Sequence, residues 1–430
     1  MGSLLLVMMI VFFILIILSM PITFAIISSS LVVFIADPYM TPWLIVSRMF
    51  AGVNSFLLLA IPLFFLTGKI MNSAGVTNNL IDLCSILVGR MRGGLAHINV
   101  LVSMFFAGIS GSSQADTGGI GSVMIPAMVD RGYSKEYSVA VTAASSTMGN
   151  IIPPSIIAVI YGSIANVSIG ALFIAGIIPG ILIGFSQMSL NFYFASKYEW
   201  PIEPMPDSKT VIKIIIRSLL PLLTPIIIIG GIVTGFFTPT EAAVVAVVYT
   251  FFLAVVVYRN LSFKAVFDMF VETAEFTAII VFLIGAAQSF GYILSFFRVS
   301  QFVSKIFINI GSPDLFLIMV IALFVIAGTF LDGTPAIVIL IPILGPISQE
   351  LGLHPTHFGI IIIMTLALGL ITPPYGLSLL LASTIGEIGI ERILKTISLF
   401  VLVMICIIVL IALFPDIVLF LPRMIVPNMV

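Results

Sequence analysis

The stretch Ser110-Gly-Ser-Ser-Gln-Ala-Asp116 puts five polar or charged side chains into seven residues, inside an apolar background running from Leu101–Ile109 to Ile120–Val129. A second interruption, Phe330-Leu-Asp-Gly-Thr-Pro335, carries an aspartate 216 residues beyond the first. Lipid offers no hydrogen-bond partners, so polar groups at membrane depth must line a cavity or bind something. The hydroxyls of Ser110, Ser112, Ser113, Thr117 and Thr334 stand beside glycines that let backbone carbonyls turn inward. Hard oxygens with few carboxylates suit a monovalent cation better than a transition metal. Half-helices read as starting at Thr117 and Pro335 aim partial positive charge at the same region, which suits an anionic group. Asp116 and Asp332 fit that chemistry. They fit equally well a structural role as N-caps of the returning half-helices.

Two further breaks face these tips in the chain order. Ser145-Ser-Thr-Met-Gly-Asn-Ile-Ile-Pro-Pro-Ser155 and Gly369–Gly376 each end a helix at a Pro-Pro pair and free several carbonyls. Kinks without a ligand role are the competing reading. Gly118, Gly119 and Gly121 are read as close helix packing. Glu241 is read as a first-turn partner of a helix dipole. His354 and His357 have the spacing of a ligand pair but are read as a solvated loop.

The elements that must hold these residues follow from composition. The chain has 430 residues, 60% of them hydrophobic and 8% charged, with a mean hydropathy of +1.29. Soluble domains carry about a quarter charged residues, so the fold class is an all-α polytopic membrane protein. A net charge of −1 with 17 basic residues excludes nucleic-acid binding. The first 36 residues lack a basic n-region and a small-residue cleavage site, and are read as retained membrane helix. Cys84 and Cys406 are read as buried core residues.

Spanning helices need about 20 apolar residues. Crossings are predicted near Leu4–Met20, Ile22–Ala36, Asn54–Met71, Tyr137–Ile164, Gly170–Ala195, Arg217–Thr234, Glu241–Tyr258, Phe276–Phe296, Phe358–Ile385 and Ser398–Leu419. The stretches 94–129 and 315–349 are broken by the polar motifs into halves of about 15 residues, too short to span at ~1.5 Å per residue. Each is predicted to be a re-entrant hairpin. Val76–Arg92 and Asn260–Glu275 are predicted to lie along the interface as amphipathic connectors.

The chain reads as two halves, 1–195 and 217–430, joined by a polar cytoplasmic linker at 196–216 with three prolines. Met20-Pro-Ile-Thr-Phe-Ala25 aligns with Thr238-Pro-Thr-Glu-Ala-Ala243 at an offset of 218, and Gly149–Pro154 with Gly369–Pro374 at 220. Asp116 and Asp332 each precede an Ile-Pro pair by ten residues to the proline. Each half then has five crossings and one hairpin, and an odd number makes the repeats inverted. Threading the basic residues through these crossings puts 12 on one side and 4 on the other, with Lys69 near a helix end. The positive-inside rule makes the richer side cytoplasmic. The hairpin at 94–129 then enters from the cytoplasm and the one at 315–349 from the periplasm.

At these motifs the chain resembles the large membrane subunit of tripartite ATP-independent periplasmic (TRAP) transporters. Leu59–Gly68, Gly111–Thr117, Ile125–Met128, Ile151–Ser155, Thr238–Ala243, Asp332–Pro335 and Thr372–Gly376 carry the resemblance, which covers essentially the full length. It implies sodium-driven uptake of an organic acid (a C4-dicarboxylate, sugar acid or sialic acid) by an elevator mechanism in the bacterial inner membrane. It also implies no cofactor besides Na+ as coupling ion, a small four-helix membrane subunit and a periplasmic substrate-binding protein. That small subunit is expected to be a separate polypeptide. Mapped by motif, one sodium site draws on Ser110, Ser112, Ser113, Gly149, Asn150 and Pro153. The other draws on Asp332, Gly333, Thr334, Gly369, Thr372 and Pro373. Asp116, Thr117, Ser145, Ser146, Pro154, Pro335, Pro374 and Tyr375 are assigned to the organic acid. A stand-alone sodium- or proton-coupled anion symporter is the alternative; a channel would need a continuous polar path, and an enzyme a nucleophile–base pair or metal set.

Overall fold

The computed structural model describes residues 2–203, 207–310 and 312–429, and every regular element among them is helical. Helices α1 (Gly2–Ile17), α2 (Ile22–Ala36), α3 (Pro42–Val53) and α4 (Ala60–Ser73) are followed by α5 (Val76–Val88). The first hairpin is α6 (Gly94–Ser110) and α7 (Ser113–Asp130). Helices α8 (Lys135–Ser146) and α9 (Ile156–Ala165) flank the first Pro-Pro break, and α10 (Ile169–Tyr198) closes this half. Helices α11 (Ser208–Val233), α12 (Pro239–Phe252), α13 (Phe263–Phe296) and α14 (Val299–Ile310) lead to the second hairpin, α15 (Pro313–Phe330) and α16 (Gly333–Glu350). Helices α17 (Pro355–Gly369) and α18 (Leu377–Ile385) flank the second break, and α19 (Ile390–Leu413) and α20 (Pro415–Ile425) end the chain. Eight helices among the described residues are long and apolar enough to cross a membrane.

The helix ends follow local chemistry. Ser112, Ser134, Ser155, Ser168 and Ser262 each accept a backbone N–H at an N-cap, satisfying donors that a helix start leaves free. Thr238 and Glu241 form a reciprocal capping box, a more specific role for Glu241 than a dipole partner. Gly111 has φ +65°, and a Cβ there would lie 2.7 Å from the Pro154 carbonyl oxygen; this turn needs glycine for both reasons.

Several expectations change. The hairpin halves have 17 or 18 residues instead of about 15, so their length alone does not forbid a crossing. The half-helices start at Ser113 and Gly333, not at Thr117 and Pro335. Asn260–Glu275 is no separate connector: from Phe263 it continues into the predicted crossing as one 34-residue helix, α13, because no glycine or proline interrupts it before Phe276. The predicted crossing Ser398–Leu419 breaks at Phe414, where Pro415 starts a new helix. Helices occupy 196–198 and 208–216, so the linker is shorter than read; its residues 204–206 lie outside the described residues. Short helices α3 and α14 went unanticipated, being too short for a spanning-length search. His354 lies half-buried in the connection before α17 and caps that helix through its ring, whereas His357 is inside α17 and buried, 2.9 Å from the Ile411 carbonyl oxygen through Nε2, so it is not in a solvated loop. Cys84 is buried, but Cys406 is exposed on α19.

Packing places the two breaks against the two hairpins. Helix α7 packs on α8 and α18, α16 on α9, and α15 on α17. The linker is fastened down at its start. Trp200 lies 4.4 Å between ring centroids from both Tyr133 and Tyr137. Glu203 pairs with Arg131 at 3.0 Å and donates its backbone N–H to the Gly89 carbonyl at 2.9 Å.

Candidate functional site

The first tip is bonded to the first break. The Ser113 backbone N–H donates to Asn150 Oδ1 at 3.0 Å, and the Thr117 hydroxyl donates to Ser146 Oγ at 2.7 Å. Beyond the break, the Ile156 N–H donates to the Gly111 carbonyl at 3.2 Å. The second break makes the matching contact, with the Gly376 N–H donating to the Thr329 carbonyl at 3.2 Å. Both Pro-Pro bonds, 153–154 and 373–374, are cis.

Asp116 is not a cap. It sits in the first turn of α7, fully buried, with Ser112 in the cap position. Its Oδ1 accepts from the Ser110 hydroxyl, while Oδ2 has no hydrogen-bond partner. That orphan oxygen faces Gly149: a Cβ there would lie 2.5 Å from Asp116 Oδ2 and 2.9 Å from the Ser112 carbonyl oxygen. A buried carboxylate oxygen without a donor is costly. The Asp116 carboxylate and the Ser112 carbonyl are hard oxygens, the donor type that a small monovalent cation takes. Asp332 does occupy the N-cap position of α16, yet its side chain makes no capping bond. Its Oδ1 accepts from the Gln114 amide at 2.8 Å instead, which ties the second tip directly to the first.

A cavity of about 490 Å³ opens beside this bond, within the usual range for a small-molecule site. Ser112, Gln114 and Asn150 of the first half line it, with Asp332 and Thr334 of the second. Phe65 and Lys69 of α4 and Phe276 of α13 form the opposite wall. The residues assigned by motif divide as follows. Ser112, Asn150, Asp332 and Thr334, assigned to sodium, border the cavity, and Ser110, Ser113 and Gly149 lie behind it at the first junction. Gly369 packs backbone to backbone, where a Cβ would lie 2.6 Å from Gly328, and the Thr372 hydroxyl donates to the Leu368 carbonyl at 2.7 Å. The Pro153 carbonyl faces Gly108, and Gly333 packs on Ile157.

The residues assigned to the acid lie elsewhere. Asp116, Thr117, Ser145 and Ser146 knit α6, α7 and α8 together, with Ser145 Oγ 2.9 Å from Ser103 Oγ. Pro154 backs onto Gly111, and Tyr375 is exposed against Phe330. Neither Pro335 nor Pro374 is among the residues that line the cavity. Gln114 and Lys69 border the cavity and were not assigned by sequence. Lys69 carried a usable signal, as a lone ionisable residue in an apolar helix.

Broken helices paired around a polar cavity are the architecture of secondary carriers. Comparison with known proteins gives the family. Residues 9–417 match the family described as "Tripartite ATP-independent periplasmic transporter, DctM component", and the chain belongs to it. It is 37% identical to the sialic acid TRAP transporter large permease protein SiaM of Vibrio cholerae, over 88% of each chain. It is 36% identical to the C4-dicarboxylate large permease protein DctM of Pseudomonas aeruginosa, over 87% of this chain and 88% of that one. The match to SiaT of Haemophilus influenzae, at 35% identity, spans 90% of this chain and 64% of the longer relative. The fold is similar to the YdaH transporter of Alcanivorax borkumensis, with a TM-score of 0.62 and 15% identity over 86% of this chain and 87% of that one. The chain is thus a multi-pass permease of the bacterial inner membrane.

Proposed function

We propose that this chain is the transport subunit of a sodium-driven importer that takes a small organic acid from a periplasmic binding protein, together with a small four-helix membrane subunit. The relatives are named for sialic acid, C4-dicarboxylates, 2,3-diketo-L-gulonate and isethionate, which share an anionic acid group, a carboxylate in the first three and a sulfonate in the last. The observation that carries the reading is the Gln114–Asp332 bond beside the cavity, with the orphan oxygen of Asp116 just behind it. Hydroxyls, carbonyls and a carboxylate offer sodium its oxygens on one side, and the cavity offers the acid its space on the other.

The matching bonds Ile156–Gly111 and Gly376–Thr329 support the internal repeat of 1–195 and 217–430, since their donors are offset by 220 residues and their acceptors by 218. An elevator movement follows from that arrangement. Hairpins and breaks move as a unit against the wall made by α4 and α13. With the charge-derived orientation, the cavity lies toward the cytoplasmic end of α4.

Sodium is the coupling ion in this reading, because apart from the Asp116 and Asp332 carboxylates the site's oxygens are hydroxyls and carbonyls, which suit a hard monovalent cation and do not titrate near neutral pH. Vesicles holding the complete transporter should accumulate a labelled acid under an inward sodium gradient at uniform pH. Accumulation that tracks an imposed pH gradient and ignores sodium would overturn this.

A further inference from the structure

Lys69 is the cationic side chain lining the cavity, and Asp332 is its anionic one. Asp332 is engaged by Gln114 and repels an anion. The negative head of an incoming acid is therefore driven toward the Lys69 side. Lys69 also borders a second cavity of about 220 Å³, which shares Phe65, Ser112 and Gln114 with the first. In this structure the Lys69 ammonium donates to Glu272 of α13 at 2.5 Å, and the two side chains are 38% and 52% exposed. One helical turn away on each helix, Phe65 and Phe276 stack with ring centroids 4.0 Å apart and planes 11° from parallel. Those rings hold α4 and α13 together and keep the ammonium at the edge of the cavity.

We propose that Lys69 is the counter-ion for the carboxylate of the transported acid, and that Glu272 is a built-in competitor which the acid displaces. This rests on the importer reading above. A solvent-accessible ion pair is weak enough to exchange, and an ammonium has three donors to hand over. The Phe65–Phe276 stack keeps the two helices in place when the pair opens. Glu272 thus sets a threshold: only an acid that offers a carboxylate at that point, with the rest of its body in the cavity, wins Lys69.

The probes are labelled N-acetylneuraminate and succinate, with the complete transporter in vesicles. Half-saturating acid is read from sodium-driven uptake, and also from equilibrium binding to the purified membrane complex at saturating sodium. Lys69→Met should raise half-saturating acid about tenfold or more, the loss of one charge-assisted bond, with half-maximal sodium unchanged. Lys69→Arg should recover most of this. Glu272→Gln should move the other way and lower half-saturating acid. A structural strut predicts instead that both single changes weaken binding alike and that the Lys69→Met/Glu272→Met double variant restores it; that pattern overturns the proposal. Should Lys69→Met fail to reach the membrane, Glu272→Gln decides alone, and a rise in half-saturating acid overturns it. If the unmodified transporter moves neither of these acids, nor isethionate or 2,3-diketo-L-gulonate, under a sodium gradient, the importer reading falls and the subsite with it; transport untouched by Lys69→Met removes the subsite only.

Discussion

Single atoms decide what the first tip can do. Adding a methyl at Gly149 would drive it to 2.5 Å from Asp116 Oδ2 and 2.9 Å from the Ser112 carbonyl oxygen. Neither can retreat easily, since one is backbone and the other is buried. Gly149→Ala is therefore expected to abolish sodium-dependent uptake, whereas Gly118→Ala, whose nearest neighbour would be a leucine methyl at 3.8 Å, should leave uptake near normal. Equal uptake by the two variants would mean the close approach has no function. Asp332 yields a second expectation. Asn caps a helix nearly as well as Asp, but Asp332 makes no capping bond. Asp332→Asn should leave the protein folded and raise the sodium concentration for half-maximal uptake severalfold; an unchanged value would remove the carboxylate from the ion's surroundings. Both aspartates were visible in the sequence as misfits in an apolar run. What was not visible was their difference: one lies within a helix and the other before one, a shift of four residues that only the cap at Ser112 resolves.

At the scale of the element, the length of apolar runs and the residues that interrupt them carried most of the fold. The polar interruptions between α6 and α7 and between α15 and α16, both Pro-Pro breaks and the long helices were legible because glycine, proline and polar side chains interrupt otherwise apolar runs. Short helices such as α3 and α14 were not, since about 12 residues fall below any spanning-length threshold. The continuity of α13 was missed for the opposite reason. The stretch Asn260–Glu275 reads as an amphipathic connector lying along the interface, yet nothing in it from Phe263 onward stops a helix. Opposed hairpins make an accessible test. In a Cys406→Ala background, which removes the exposed native thiol, Lys135→Cys should react with a membrane-impermeant maleimide only from the cytoplasmic side. Asp314→Cys should react only from the periplasmic side. Labelling of both from one side would invalidate the inverted arrangement.

Across the whole molecule, the two halves are held at the loop between them as well as at the cavity. Trp200, buried among Tyr133, Tyr137 and Tyr198, anchors the linker to the end of the first hairpin. Truncating a buried aromatic costs about 3–5 kcal/mol, while an exposed ion pair contributes at most about 1 kcal/mol. Trp200→Ala should therefore lower the thermal midpoint of the detergent-purified protein clearly, and Arg423→Ala, whose pair with Asp416 is exposed on both sides, only slightly. Equal shifts would mean the rings do not bear the linker. The sequence showed this segment as proline-rich and polar, which reads as free chain. Its attachment depends on tertiary ring contacts that no local pattern encodes.

The bond between Gln114 and Asp332 has a thermodynamic consequence. The two side chains are 218 residues apart in sequence, yet each orients the other. Whatever settles the first tip also prepares the second, and linkage makes this mutual. Ions loading at the two junctions would then do so with positive cooperativity, and the sodium dependence of uptake would be sigmoidal. Gln114→Met keeps the bulk of the side chain and deletes the amide, so the Hill coefficient for sodium should fall toward one. A slope that stays as steep would mean that the two ends fill independently.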